Sequence, residues 1–419
     1  MNQKRRIGAW GSIALGIWLL FAPLLFGYPF GALLVNDLIC GVILWGCSLF
    51  VLHTQRSWIG WVLFALGIWL QAASLLFWAP TALIYLNDTF AGSIALIFSF
   101  MMSGKEEAVK VEVPRGWSFN PSGWSHRFVI AVLALTCSCF ARYMAVFQLG
   151  YRDSVYDPFF LNGTRDVITS ALSKSFPVSD AGVGALCYTL EFLLAWQGGI
   201  NRWKEMPWLV FFFAFLIIPV GVVSILLIIL QPLLVGAWCS WCLATALLML
   251  IMIVMAAPEF VATVQYLLEA KSVKRSAWRL FWEGEVSKAR WFSRESSKGC
   301  SAGWTIPLSS VFCCVLGVWI VISPSLLISC HLLSTASFIV GPLAIAFSFV
   351  SCSEVFRPLR YVQIFLGAVL VLLSVMVFFS GKGGMSELIH LVTGLVLAVV
   401  CLPKGRIEER YGSFQRYLR

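Results

Sequence analysis

The chain has 419 residues, of which 60% are hydrophobic and 12% charged, with a mean hydropathy of +0.87. That make-up excludes an ordinary soluble globular domain. The net charge of +10 does not mark a nucleic-acid binder, because the basic residues sit in loops beside apolar runs, where they set topology and attract anionic lipid head groups.

Apolar runs long enough to cross the hydrocarbon core as helices recur from Ile7 to Cys401. Twelve spans are expected, near 8–27, 33–52, 58–78, 83–102, 128–149, 183–199, 208–230, 234–256, 305–327, 331–351, 361–380 and 386–402. The fold class is therefore all-α, a polytopic membrane protein. With Lys4-Arg5-Arg6 on the cytoplasmic side, 25 of the 30 Lys and Arg become cytoplasmic; the other five are Arg142 inside a span and Arg152, Arg165, Lys174 and Lys382 outside. Both termini are expected in the cytoplasm. The first run is too long for a cleavable signal peptide and is copied downstream, so the first span is expected to be retained.

Residues 1–104 contain a duplication. Ala14-Leu15-Gly16-Ile17-Trp18-Leu19 returns 51 positions later as Ala65-Leu66-Gly67-Ile68-Trp69-Leu70, and Trp10, Asn36, Asp37 and Gly41 return as Trp61, Asn87, Asp88 and Gly92. Glycines there let helices approach closely, tryptophans favour the interface, and Asn-Asp is expected to cap the outer start of its helix. Residues 304–403 carry a fainter copy, in which Leu316-Gly317-Val318-Trp319 and Ser323-Pro324 parallel Leu15-Gly16-Ile17-Trp18 and Ala22-Pro23. The pattern resembles the SPW-repeat membrane family over about residues 8–102, and more weakly over 304–402. That resemblance implies a helical membrane module of four spans, present twice.

Between the modules, 105–126 is expected as a cytoplasmic linker, 127–257 as a separate four-span unit, and 258–303 as a basic cytoplasmic segment; 404–419 forms a basic tail. Pro114 and Pro121 mark the first linker. In the second, Trp278, Phe281, Trp282, Trp291 and Phe292 among the charges suggest an amphipathic surface helix.

The four-span unit has a long outer loop, Gly150 to Gly182, and a short turn, Asn201 to Pro207. A loop of that length in a compact membrane protein points to function. It holds Asp153, Asp157, Asp166 and Asp180 beside Arg152, Arg165 and Lys174, so it is expected to be solvated. Gln231-Pro232 closes another outer turn, and Gly236-Ala237-Trp238-Cys239-Ser240-Trp241-Cys242-Leu243 opens the eighth span. Thiols three residues apart at a helix start are within bonding reach, and the free amides there stabilise a thiolate. Cys239 and Cys242 can thus cycle between dithiol and disulfide.

Thirteen cysteines give roughly 0.4 chance pairs at this spacing, so position rather than spacing carries the reading. The other eleven read as small apolar packing residues; Cys187 is either one of these or a resolving thiol. Asn162-Gly163-Thr164 fits a glycosylation sequon. The four histidines are scattered, and no metal site is expected.

Asp166-Val167-Ile168-Thr169-Ser170, Phe176-Pro177, Gly182, Tyr188 and Trp238-Cys239-x-x-Cys242-Leu243 resemble the bacterial branch of the vitamin K epoxide reductase family, over about residues 125–283. The resemblance implies a central four-helix bundle in a bacterial inner membrane. Cys239 would exchange disulfides with a dithiol protein, of thioredoxin fold or otherwise, on the outer face. Cys242 would face a quinone of ubiquinone or menaquinone type, in a site that takes in Trp238, Ser170, Tyr188 and Arg142. Arg142 would orient a quinone oxygen or form an ion pair with a loop aspartate.

The sequence departs from that family in two places. The cysteine pair common in its outer loop is missing here, with Thr164 standing about where one of them falls, and Ala246 stands where some vitamin K enzymes carry a tyrosine. Two functions remain open: a thiol:quinone oxidoreductase forming disulfides on the outer face, or a redox-inactive scaffold or sensor that keeps the fold. A transporter fits less well, since the repeats show neither paired broken spans nor inward charges.

Overall fold

The computed structural model describes residues 3–54, 56, 58–103, 111–272, 276–285, 299–327, 330–382 and 384–418. Among them no strand forms; the helices are α1 Gln3–Phe26, α2 Ala32–Thr54, α3 Ile59–Leu76, α4 Ala82–Ser103, α5 Trp124–Gln148, α6 Gly163–Ile168, α7 Ala171–Lys174, α8 Asp180–Trp196, α9 Arg202–Glu205, α10 Pro207–Leu230, α11 Ser240–Ser272, α12 Ala277–Glu283, α13 Leu308–Leu326, α14 His331–Val350, α15 Val362–Val377 and α16 Met385–Val400.

Ten of the twelve expected spans are helices long and apolar enough to cross a membrane, and the protein is an all-α integral membrane protein. The remaining two, α8 and α16, have 17 and 16 residues. Local hydrogen bonding, rather than the length of the apolar run, sets the ends of α8: the Ser179 side chain accepts from Gly182 N–H, and the backbone turns extended at Gln197.

The chain divides into two compact units. One holds Met1–Glu107, Ala134–Tyr156 and Ile168–Gly198; the other holds Ala108–Leu133, Asp157–Val167 and Gly199–Arg419. This division cuts through the expected 127–257 unit. Helix α8 packs with α3 and α4, whereas α10 and α11 pack with each other and with α14. The expected boundary after residue 257 falls inside α11, which continues through Pro258 to Ser272.

In the first unit the duplication is read out as a reciprocal pair of hydrogen bonds. Trp18 Nε1 donates to Asn87 Oδ1 at 2.9 Å, and its repeat partner Trp69 Nε1 donates to Asn36 Oδ1 at 2.7 Å. The glycines sit at the closest helix crossings: a Cβ on Gly16 would meet the Gly41 carbonyl oxygen at 2.7 Å, and Gly67 and Gly92 face each other in the same way. The expected Asn-Asp caps are not found, because α2 and α4 begin at Ala32 and Ala82, upstream of Asn36 and Asn87. Asp37 and Asp88 lie inside those helices, fully buried, within hydrogen-bond reach of each other, and Tyr28 OH donates to Asp88 Oδ1 at 3.0 Å.

In the second unit, the close glycine crossings recur as Gly317 with Gly341 and Gly367 with Gly394. Ser337 and His390, one turn before Gly341 and Gly394, take the places that Asp37 and Asp88 hold relative to Gly41 and Gly92, and both are buried.

The stretch expected as a linker and the C-terminal tail are ordered on each other. Trp117, Phe119, Tyr411 and Leu418 form an apolar core with Ala257, Val261 and Val355, and the Trp117 and Tyr411 rings meet edge to face at 4.9 Å. Beside it, Arg202 grips Glu259 through two bonds of 2.6 Å, and Ser122 Oγ donates to the same carboxylate at 2.5 Å. Among the described residues, the expected amphipathic segment forms the seven-residue α12, with Trp278 and Trp282 exposed. Trp291 and Phe292 lie outside the described residues.

Candidate functional site

The apolar α10 runs into one π-helical turn, Gln231–Val235, and stops at Gly236, whose φ of 72° is left-handed. No atom lies within 4 Å of where a Cβ on Gly236 would be, so the glycine is required by conformation rather than by space. Residues 237–239 then lead into α11, which begins at Ser240, later than the expected start of the eighth span near residue 234.

Cys239 therefore occupies the N-cap position. Its carbonyl accepts from Leu243 N–H at 3.0 Å, its own N–H donates to Gln231 Oε1 at 3.0 Å, and its Sγ accepts from Cys242 N–H at 3.1 Å. Cys242 lies in the first turn, and a disulfide joins the two residues, whose Cα atoms are 5.3 Å apart. A first-turn helix amide aimed at Sγ favours a thiolate there when the bond opens. Cys239 is wholly buried and Cys242 half-buried. The family-derived order of roles, in which a partner attacks at Cys239, thus meets a closed sulfur in this arrangement.

Asp157 closes it. Oδ1 accepts from Phe159 N–H at 3.0 Å, from Phe160 N–H at 2.8 Å and from the Ser240 hydroxyl; Oδ2 accepts from Thr164 N–H at 2.9 Å, from Ser240 N–H at 3.2 Å and from the Thr164 hydroxyl. Burial raises the pKa of this carboxyl, but the bonds from Ser240, Thr164, Phe160 and Phe159 outweigh it and hold the group well below the usual carboxylate range. Asp157 was expected to be solvated, yet it is 6% exposed, whereas Asp153 and Asp166 are exposed. Gly163 lies directly against the Trp238 carbonyl, where a Cβ would collide with the oxygen.

The other expected site residues have separate surroundings. Trp238 is half-buried, with its ring 6.3 Å from that of Phe338. Ser170, in the first unit, caps α7 by accepting from Ser173 N–H. Tyr188, in α8 of the same unit, is buried. Arg142 pairs with no loop aspartate among the described residues; its donors go to the hydroxyls of Thr89 at 2.7 Å, Thr189 at 3.2 Å and Ser138 at 3.4 Å. Hydroxyls satisfy a half-buried guanidinium without bringing a second charge into the bundle. Cys187 is a free thiol in α8. The sequon's Thr164 is fully buried, with its hydroxyl committed to Asp157.

Sequence reasoning missed Asp157 as an anchor, together with Thr164, Ser240 and Gln231. The usable signal was Asp157 ahead of Pro158, since an aspartate that bonds the amides two and three residues on is a turn former.

The geometry defines a helical membrane domain with a disulfide at a helix start. Residues 128–257, which include that disulfide, match the Vitamin K epoxide reductase family, and residues 6–102 match the SPW repeat domain. The chain carries a vitamin K epoxide reductase family domain preceded by an SPW repeat domain. No curated protein and no solved structure gives a match.

Proposed function

We propose that the protein is a membrane thiol:quinone oxidoreductase that oxidises dithiols on the outer face of a bacterial inner membrane, with the termini in the cytoplasm. The observation that carries this reading is the Cys239–Cys242 disulfide at the start of α11, inside the family match, with the Cys242 amide directed at Cys239 Sγ. A dithiol protein reduces the bond: its two thiols become a disulfide, and two electrons and two protons pass to Cys239 and Cys242. A bound quinone supplies a two-electron, two-proton acceptor.

The surroundings of the pair fit such an acceptor. Cys242 is half-buried at the end of the strongly apolar α10–α11 hairpin, and Trp238 holds an indole N–H with no hydrogen-bond partner among the described residues. Trp238 would donate to a quinone oxygen, and Cys242 would be the thiol facing it. We also read residues 304–403 as a diverged copy of the first module, on the strength of its repeated glycine crossings.

The loop from 150 to 182 carries no cysteine, and Thr164 is locked to Asp157; this favours a second reading, a redox-inactive scaffold or sensor. Thiol trapping with a mass-shifting alkylating reagent in isolated membranes separates the two. A pair that is reduced by dithiol and reoxidised by added quinone supports the enzyme, and Cys242→Ala abolishes the quinone-dependent step. A pair fixed in one state under every condition supports the scaffold.

A further inference from the structure

Asp157 is neither a cap nor a surface charge. Its carboxylate collects six hydrogen bonds, four from its own 157–164 segment and two from Ser240, the first residue of α11. The same segment touches the other neighbour of Cys239, because Gly163 abuts the Trp238 carbonyl. Both residues flanking Cys239 in the chain are thus held by 157–164, and Cys239 has no exposure.

We propose that Asp157 is a positioning residue that clasps the 157–164 segment over the start of α11, so that a reductant reaches the Cys239–Cys242 bond only when this clasp opens. The inference rests on the reading of that pair as redox-active. Two consequences follow from the geometry. Opening costs the hydrogen bonds to Ser240, which slows reduction. The carboxylate also takes the Ser240 amide at the helix end where a Cys239 thiolate would be stabilised, so its negative charge opposes the thiolate and favours the disulfide.

The test uses the full-length protein in native membranes, with dithiothreitol as reductant and alkylation trapping as readout. Reduction converts the two thiols of dithiothreitol to a cyclic disulfide and delivers two electrons and two protons to Cys239 and Cys242. Asp157→Asn is expected to speed reduction about tenfold, the size of one lost hydrogen bond to a charged group. It is also expected to move the equilibrium with a glutathione buffer about threefold toward the dithiol, which is about 14 mV.

Gly163→Ala pushes the segment off Trp238 with the carboxylate intact, so it should speed reduction and leave the equilibrium unchanged. Thr164→Val removes one donor and should give a smaller acceleration, which keeps the test alive if Asp157→Asn does not fold. The proposal is overturned if Gly163→Ala and Thr164→Val, with melting temperatures confirming a folded protein, both reduce within about twofold of the wild-type rate. Reoxidation by added quinone, followed in the same membranes, tests the oxidoreductase reading separately, because dithiothreitol reduction needs no quinone.

Discussion

Replacing Glu259 with alanine removes the carboxylate that neutralises Arg202. Neither group has an aqueous alternative: the Arg202 side chain is 0% exposed and that of Glu259 is 3%. The guanidinium would lose two bonds of 2.6 Å and stay buried without this carboxylate, and the Ser122 hydroxyl would lose its acceptor. Breaking a buried pair from one side costs about 3–5 kcal/mol, far more than the pair contributes relative to an apolar replacement. The protein supplies its own control in Arg279–Glu283, a pair with the same kind of contact at 2.7 Å but with side chains 75% and 60% exposed. Solvent and salt screen that pair, and Glu283→Ala should leave the stability nearly unchanged. The assay is thermal unfolding of the purified protein in detergent, with both variants measured side by side. Glu259→Ala should melt several degrees lower, and the double change Arg202→Met with Glu259→Met should recover much of the loss. Equal melting temperatures for Glu259→Ala and Glu283→Ala, within about 1 °C, would refute the argument from burial.

The reciprocal tryptophan bonds predict that Trp18→Phe and Trp69→Phe each cost about 0.5–1.5 kcal/mol, by similar amounts, in the same melting assay; a silent variant paired with a damaging one would break the symmetry argument. Gly236→Ala meets no atoms, so it should cost only the left-handed backbone strain of about 1 kcal/mol, while Gly41→Val, forced onto the Gly16 backbone, should cost more. Because Asp157 is held below its ordinary pKa, it is ionised in the fold at pH values where the unfolded chain already takes up a proton. Its contribution is therefore complete above about pH 4 and fades as pH falls below that. The ratio of reduction rates between Asp157→Asn and wild type should accordingly stay constant from about pH 5 to 8 and converge toward one in stronger acid.

Much of this protein was legible in its residues because the bilayer simplifies the problem. Long apolar runs have to be helices, since no other open structure satisfies its backbone in lipid, and ten of the twelve expected spans are helices of spanning length. The 51-residue duplication located Trp18, Trp69, Asn36, Asn87 and the crossing glycines before any partner was known. The spacing and placement of Cys239 and Cys242 pointed to a disulfide at a helix start, which the structure contains.

What sequence did not decide is which groups meet across long separations. Asp37 and Asp88 looked like caps until the helices proved to start upstream of them. Arg142 was expected to meet a quinone or an aspartate, and it spends its donors on three hydroxyls from three helices. Residues 105–126 read as a linker and 404–419 as a basic tail, yet Trp117 and Tyr411 pack ring to ring across almost three hundred positions. Asp157 was one of four acidic residues in a loop, and nothing local separated it from Asp153. Local pattern and hydrophobicity fix which segments become helices and where a reactive pair begins one. The burial that turns a single aspartate into an anchor depends on two segments 83 residues apart meeting at Ser240, and only the folded chain brings them together.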